Sequence, residues 1–141
     1  MGKYVLLITS SDTIELKEYT DYHTINDLVS GWYEVCGYLE KNYLLYCNEE
    51  FLYHDKCSFN ALATIINGKQ PIYGNTVLMI DGYTDDEIPE RDIFPMSLEE
   101  AQFVKNKLDY FIESEKSMIN ELHKAYDSCK PTIIVETELD V

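Results

Sequence analysis

The chain has 141 residues, with 26 acidic side chains against 11 basic ones and a formal net charge of -15. Hydrophobic residues make up 45% and charged residues 26%, the balance of a folded chain and not of a disordered one. Direct binding to DNA, RNA or an anionic membrane is disfavoured. Such binding needs clustered lysine and arginine, whereas this chain has one arginine, Arg91, and scattered lysines. The same acidity suits a basic partner, although it also serves solubility alone. The length suits one domain, 1–141, with its own core. Four cysteines (Cys36, Cys47, Cys57 and Cys129) lack CxxC spacing, so neither a zinc knuckle nor a disulfide scaffold is expected. No apolar run reaches about 18 residues, and Met1-Gly2-Lys3 leads straight into a strand-like stretch. Neither a membrane span nor a secretory signal is expected.

In chain order, Lys3 to Thr9 (KYVLLIT) reads as a buried strand and Thr13 to Tyr19 as its hairpin partner across Ser10-Ser11-Asp12. Thr24 is expected to cap a short helix from Ile25 to Ser30, ended by Gly31. Trp32 to Leu39 and Tyr43 to Cys47 form a second, aromatic-rich hairpin. Ser58 is expected to cap a short helix from Asn60 to Ile66, stopped by Asn67-Gly68. Thr76 to Asp81 is a further strand. Asp81 to Pro95, with six acidic residues and two prolines, reads as a surface loop. Thr132 to Glu136, after Pro131, is a last short strand.

The strongest pattern is a helix over about 98–128. Ser97-Leu98-Glu99-Glu100 is a capping box, in which serine and the glutamate three residues on satisfy each other's free amides. Ala101, Val104, Leu108, Phe111, Met118, Leu122 and Ala125 then repeat every three or four residues, interrupted by Glu115. Ile112, Ile119 and Tyr126 widen the apolar face. Such a helix would be roughly 45 Å long, more than a small sheet covers. The part through Ile112 is expected to pack on the sheet. Met118, Ile119, Leu122 and Tyr126 are expected to meet a second protomer or the target. The predicted fold is α+β: an antiparallel sheet of hairpins, two short helices and one long C-terminal helix packed on it.

The sequence supports no enzymatic chemistry. His54, Asp55 and Cys57 lie close together, but a metal site needs three or four converging ligands, and His23 and His123 stand apart. A thiol nucleophile needs an exposed cysteine beside a positive group. Only Cys57, next to Lys56, meets that, with no base identified; Cys36 and Cys47 sit in apolar runs. Glycines occur singly, with no phosphate-binding loop. The run Asp81 to Asp92 has its glycine too early, and a proline inside, for a calcium loop. No cofactor or metal is expected.

Twelve tyrosines remain to be explained, and Tyr33, Tyr38, Tyr43, Tyr46 and Tyr53 fall close together. Strand alternation puts Tyr33 opposite to Cys36, and Tyr43 opposite to Tyr46, so some phenols must lie outside the core. Tyrosine satisfies strand propensity with a wet hydroxyl, but exposed it also gives rigid contact area at interfaces. The expected partner-binding set is therefore Tyr33, Tyr38, Tyr43 and Tyr46 with Asp81, Asp85, Asp86, Glu87, Glu90 and Asp92.

Asn60 and Ala63 at a helix start, then Ile72, Gly74 and Val77 leading into a strand, resemble a family of small uncharacterised phage and mobile-element proteins. The resemblance covers the middle third of the chain and lacks the proline and arginine usual around that asparagine. It implies a source, a phage or mobile element in a bacterial cytoplasm, and no activity. In composition the chain is similar to acidic anti-CRISPR and anti-restriction inhibitors. The expected function is an anti-defence protein binding a basic host protein, such as a nuclease of a defence system, with carboxylates where phosphates would sit. The alternative is a small-molecule binder, for instance a sponge for a nucleotide signal stacked between tyrosines.

Overall fold

The computed structural model describes residues 3–39, 43–49, 58–68, 71–83, 87–88 and 91–126, with backbone alone at 81, 83 and 91–93. The expected strand Thr132 to Glu136 and the group His54, Asp55 and Cys57 lie outside these residues, as does Cys129.

The opening hairpin pairs β1 (Tyr4–Ile8) with β2 (Ile14–Glu18) in antiparallel register, Ile8 opposite Ile14. Asp12 closes the turn at φ 64°, a left-handed conformation that aspartate tolerates better than most residues. The first helix, α1 (Tyr22–Val29), starts earlier than expected. Asp21 caps it by accepting from the His23 amide at 2.9 Å, while the Thr24 hydroxyl turns back to the Thr20 amide. Ser30, not Gly31, takes the left-handed closing position, and buried Asn48 donates to the carbonyls of Val29 and Ser30.

The second hairpin joins β3 (Tyr33–Leu39) to β4 (Tyr43–Asn48), with a bulge between Val35 and Gly37. The next helix, α2 (Ala61–Asn67), is capped by Asn60 and not by Ser58. Gly68, at φ 71°, ends it as expected. Asn60 is fully buried. Its side chain accepts from the Ala63 amide at 3.0 Å and donates to the carbonyls of Ile8 and Gly74 at 3.0 and 2.8 Å. One amide thus starts α2 and ties it to the first strand and to the turn before the next. Of the residues that carried the family resemblance, Asn60 and Gly74 belong to this scaffold.

The third pair corrects the expected acidic loop. β5 (Thr76–Tyr83) runs on past Asp81 and returns as β6 (Arg91–Phe94), with Asp81 opposite Ile93 and Gly82 opposite Asp92. A side chain at Gly82 would press on the Phe94 ring at 3.2 Å, so the bare glycine lets the return strand close. The sheet order is β2-β1-β5-β4-β3, all antiparallel, with β6 also paired to β5. At Ile80 both β4 and β6 meet β5, so β6 continues the side of β5 along which β1 lies.

Ser97 accepts from the Glu100 amide at 3.1 Å and starts α3 (Leu98–Ser114), as its capping box predicts. The expected continuous helix breaks at Glu115, and α4 (Lys116–Tyr126) sets off anew. The sheet lies between two helical layers. On one face α1 covers Val5, Leu7, Leu44, Tyr46, Val77 and Met79 through Ile25 and Val29. On the other, α2, α3 and α4 cover Leu6, Ile8, Leu45 and Leu78. Burying each such side chain contributes roughly 1.5–3 kcal/mol, which makes this two-sided core the main support of the fold. No described helix is long and apolar enough to cross a membrane.

Candidate functional site

β3 is the terminal strand of the sheet, and among the described residues no strand pairs with its outer edge. Trp32, just before it, is 62% exposed, and its carbonyl accepts from the Glu49 amide at 2.8 Å, closing the end of the hairpin. Val35 and Tyr38 lie opposite Tyr46 and Leu44, both in the core on the α1 face. The intervening bulge is what puts residues three apart on one face. Tyr38 is 52% exposed. Glu34 and Glu49 are both exposed, and the Glu34 carboxyl is pushed above its ordinary value, first by partial desolvation and then by the charge of Glu49. The edge therefore carries two mutually repelling carboxylates, with Glu34 opposite Cys47 on the α2–α4 side of the sheet and Val35 and Tyr38 on the α1 side.

The structure brings together only part of the expected partner-binding set. Tyr38 is at this edge. Tyr33 is half-buried with its ring edge-on to Tyr46 at 5.2 Å, and Tyr46 is buried in the core, too enclosed to meet a partner. Tyr43 points to the other face and donates to Glu100 at 2.7 Å. Glu87 is exposed; Asp81 and Asp92 sit in paired strands; Asp85, Asp86 and Glu90 lie outside the described residues.

The expected intermolecular face of the last helix is occupied within the chain. Ile119 is buried, while Leu122 and Tyr126 pack against the same core; only Met118 is exposed. The break at Glu115 is the cause, because it turns α4 onto Phe59, whose ring stacks on Tyr126 at 5.0 Å and meets His123 edge-on at 5.5 Å. His123 Nε2 lies 2.9 and 3.0 Å from the two Asp12 carboxylate oxygens, fastening α4 to the first turn.

Neither described thiol has the exposed, electropositive setting that favours a thiolate. Cys47 is fully buried, and the Cys36 thiol is pushed far up by its hydrogen bond to the Cys47 sulfur, then by burial. Among the described residues no three histidine, cysteine or acidic side chains converge as a metal site would require.

A concavity of about 440 Å³ lies between the β3–β4 hairpin, α2 and α3, with Tyr38 among its lining residues. Leu39, Tyr43, Leu62, Ile66, Leu108 and Phe111 line it. Phe103, 59% exposed, and Lys107 form its lip, with the ammonium 4.7 Å from the ring centre. The residues missed by sequence reasoning are Trp32, Glu34, Glu49, Phe103 and Lys107. Trp32 and Glu34 stood in plain view in WYEVCGYL, but strict alternation hides the effect of the bulge.

The family described as "Domain of unknown function (DUF3846)" matches residues 2–96. The chain belongs to the DUF3846 family. No curated protein and no solved structure matches it. The DUF3846 match takes in the whole sheet, α1 and α2, and ends one residue before the Ser97 cap. α3 and α4 lie beyond the DUF3846 residues but share their core, Ala101, Val104, Leu108 and Ile119 packing with Leu6, Ile8 and Phe59.

Proposed function

We propose that this DUF3846 protein is a phage or mobile-element anti-defence protein of the bacterial cytoplasm. In this reading it binds and blocks a basic, nucleic-acid-handling host protein through the acidic, aromatic outer edge of β3. The observation that carries the reading is that Glu34, Glu49 and exposed Trp32, Val35 and Tyr38 all lie on the terminal hairpin, whose strand β3 has no partner on its outer edge among the described residues. A net charge of -15 draws a cationic surface in and repels nucleic acid itself. The two carboxylates take the place of phosphates, and the aromatic side chains supply rigid apolar area, the usual source of affinity at an interface centre. The same bulge and glutamate discourage the edge from pairing with other copies of the sheet. No catalytic step is part of this function.

The test is capture of proteins from a bacterial lysate on the immobilised chain at low salt, followed by elution with short duplex DNA. The reading expects a basic protein that the duplex releases, because both ligands occupy one cationic surface. A captured protein that stays bound under excess duplex, or elutes only with denaturant, overturns it.

A further inference from the structure

The groove between the β3–β4 hairpin, α2 and α3 shares Tyr38 with the proposed partner edge, but its chemistry is different. Its floor is aliphatic and aromatic, drawn from Leu39, Leu62, Ile66, Leu108 and Phe111, and its volume of about 440 Å³ falls in the range of small-molecule sites. One cation stands at the lip. In a chain with 26 acidic and 11 basic side chains, an ammonium without an acidic partner is informative. Among the described residues no carboxylate pairs with Lys107; the contact made is with the Phe103 ring. Lys105, by contrast, is held by Asp109 at 2.6 Å. Glu100, two turns before Lys107 on α3 and about 10 Å along the helix from it, is fixed by the Tyr43 phenol at 2.7 Å.

We infer that the groove binds a small amphipathic carboxylate: an aliphatic body on the apolar floor and one anionic head on Lys107. The charge selects this class. A nucleotide would set its polar sugar against an aliphatic floor, and a phosphomonoester nucleotide would bring about two or more negative charges to a groove with a single described cation. A partner helix needs a trough some 10 Å wide over several turns, whereas this is one concavity. A neutral apolar ligand would leave the ammonium unused. The site also explains why Phe103, a large apolar side chain beyond the DUF3846 residues, is left facing water: it becomes one wall of the groove once the body of the ligand lies against it.

The experiment is a titration of the full chain with octanoate, followed by amide chemical shifts, with octanol as the uncharged control. Octanoate is expected to shift the amides of Leu39, Leu62, Phe103 and Lys107, with a Kd on the order of 1 mM for a ligand of this size. Lys107→Gln, at an exposed position, should weaken octanoate about five- to tenfold and leave octanol unchanged. Phe103→Ala should weaken both. Octanol binding as tightly as octanoate, an unchanged Kd in Lys107→Gln, or shifts confined to other regions would each overturn the inference. So would shifts of the groove amides with protein concentration alone, which would make a second copy the occupant.

Discussion

Asn60 is the position where one substitution should reveal most about how the fold is held. Replacing it by alanine removes the α2 cap, worth about 1 kcal/mol. It also strips the side-chain donor from the carbonyls of Ile8 and Gly74 around a site with no exposure. Ile8 keeps one further donor, the Thr76 hydroxyl at 3.3 Å, so its loss is partial. At about 1–3 kcal/mol for each buried acceptor left short, the sum is about 3–5 kcal/mol. That is a large share of the roughly 5–15 kcal/mol by which a domain is stable, and it lowers Tm by about 10–20 °C. Asn60→Ser separates the parts, because serine restores the cap and not the two donors; it should recover about 1 kcal/mol of the loss. Asn60→Asp keeps the cap oxygen but sets a buried carboxylate against two carbonyls, and should be worse than alanine at neutral pH. Urea unfolding with a common m-value measures all three. A loss below about 1 kcal/mol for Asn60→Ala, or Asn60→Asp more stable than Asn60→Ala at pH 7, would refute the reasoning.

Three further outcomes are expected. Gly31→Ala would place a Cβ 2.6 Å from the Asn48 amide nitrogen, displacing the group that closes α1; thermal unfolding should show a loss of about 1–3 kcal/mol. Asp12→Asn keeps a residue that tolerates φ 64° but replaces the carboxylate holding His123, costing about 0.5–1.5 kcal/mol in urea unfolding, and Asp12→Ala should cost about 1 kcal/mol more by straining the turn. Glu34→Gln should stabilise slightly at neutral pH, by less than about 0.5 kcal/mol, since solvent screens so exposed a group. Its sign follows from the raised carboxyl: the fold favours the protonated form, so the wild type loses stability as pH rises from the ordinary glutamate value through the raised one. The gain in Glu34→Gln should therefore disappear in melts run below that window, and a variant equally stabilised at pH 3 and pH 7 would contradict it.

Local signals in the sequence located most elements and missed what long-range contacts decide. Ser97 and Glu100 announce α3, and Asn67-Gly68 announces the end of α2, because caps are settled within one turn of chain. The start of α1 differs from the sequence reading because Thr24 and Asp21 both have capping side chains, and the Thr24 hydroxyl accepts from the Thr20 amide while Asp21 accepts from His23. The insertion of β5 between β1 and β4 pairs residues some 70 and 30 positions apart, and no periodicity encodes it. The apolar stripe past Glu115 was legible, but its direction was not. A break of one residue turned Ile119, Leu122 and Tyr126 from an outer surface into core. The acidic and aromatic character of the candidate edge could be read from composition, whereas its location depended on the bulge in β3, and the groove on three segments far apart in sequence.

The most direct test of the proposed function compares the wild type with the variant Trp32→Ala, Glu34→Gln, Glu49→Gln as bait for a basic host protein across a salt series. All three positions are exposed, so the fold should persist, which a matching circular-dichroism melt would establish. The account predicts that the wild type binds with an affinity falling steeply as salt shortens the screening length from about 10 Å, and that the variant loses at least tenfold with a flatter salt slope. Equal binding by both baits, or an affinity indifferent to salt, would contradict it.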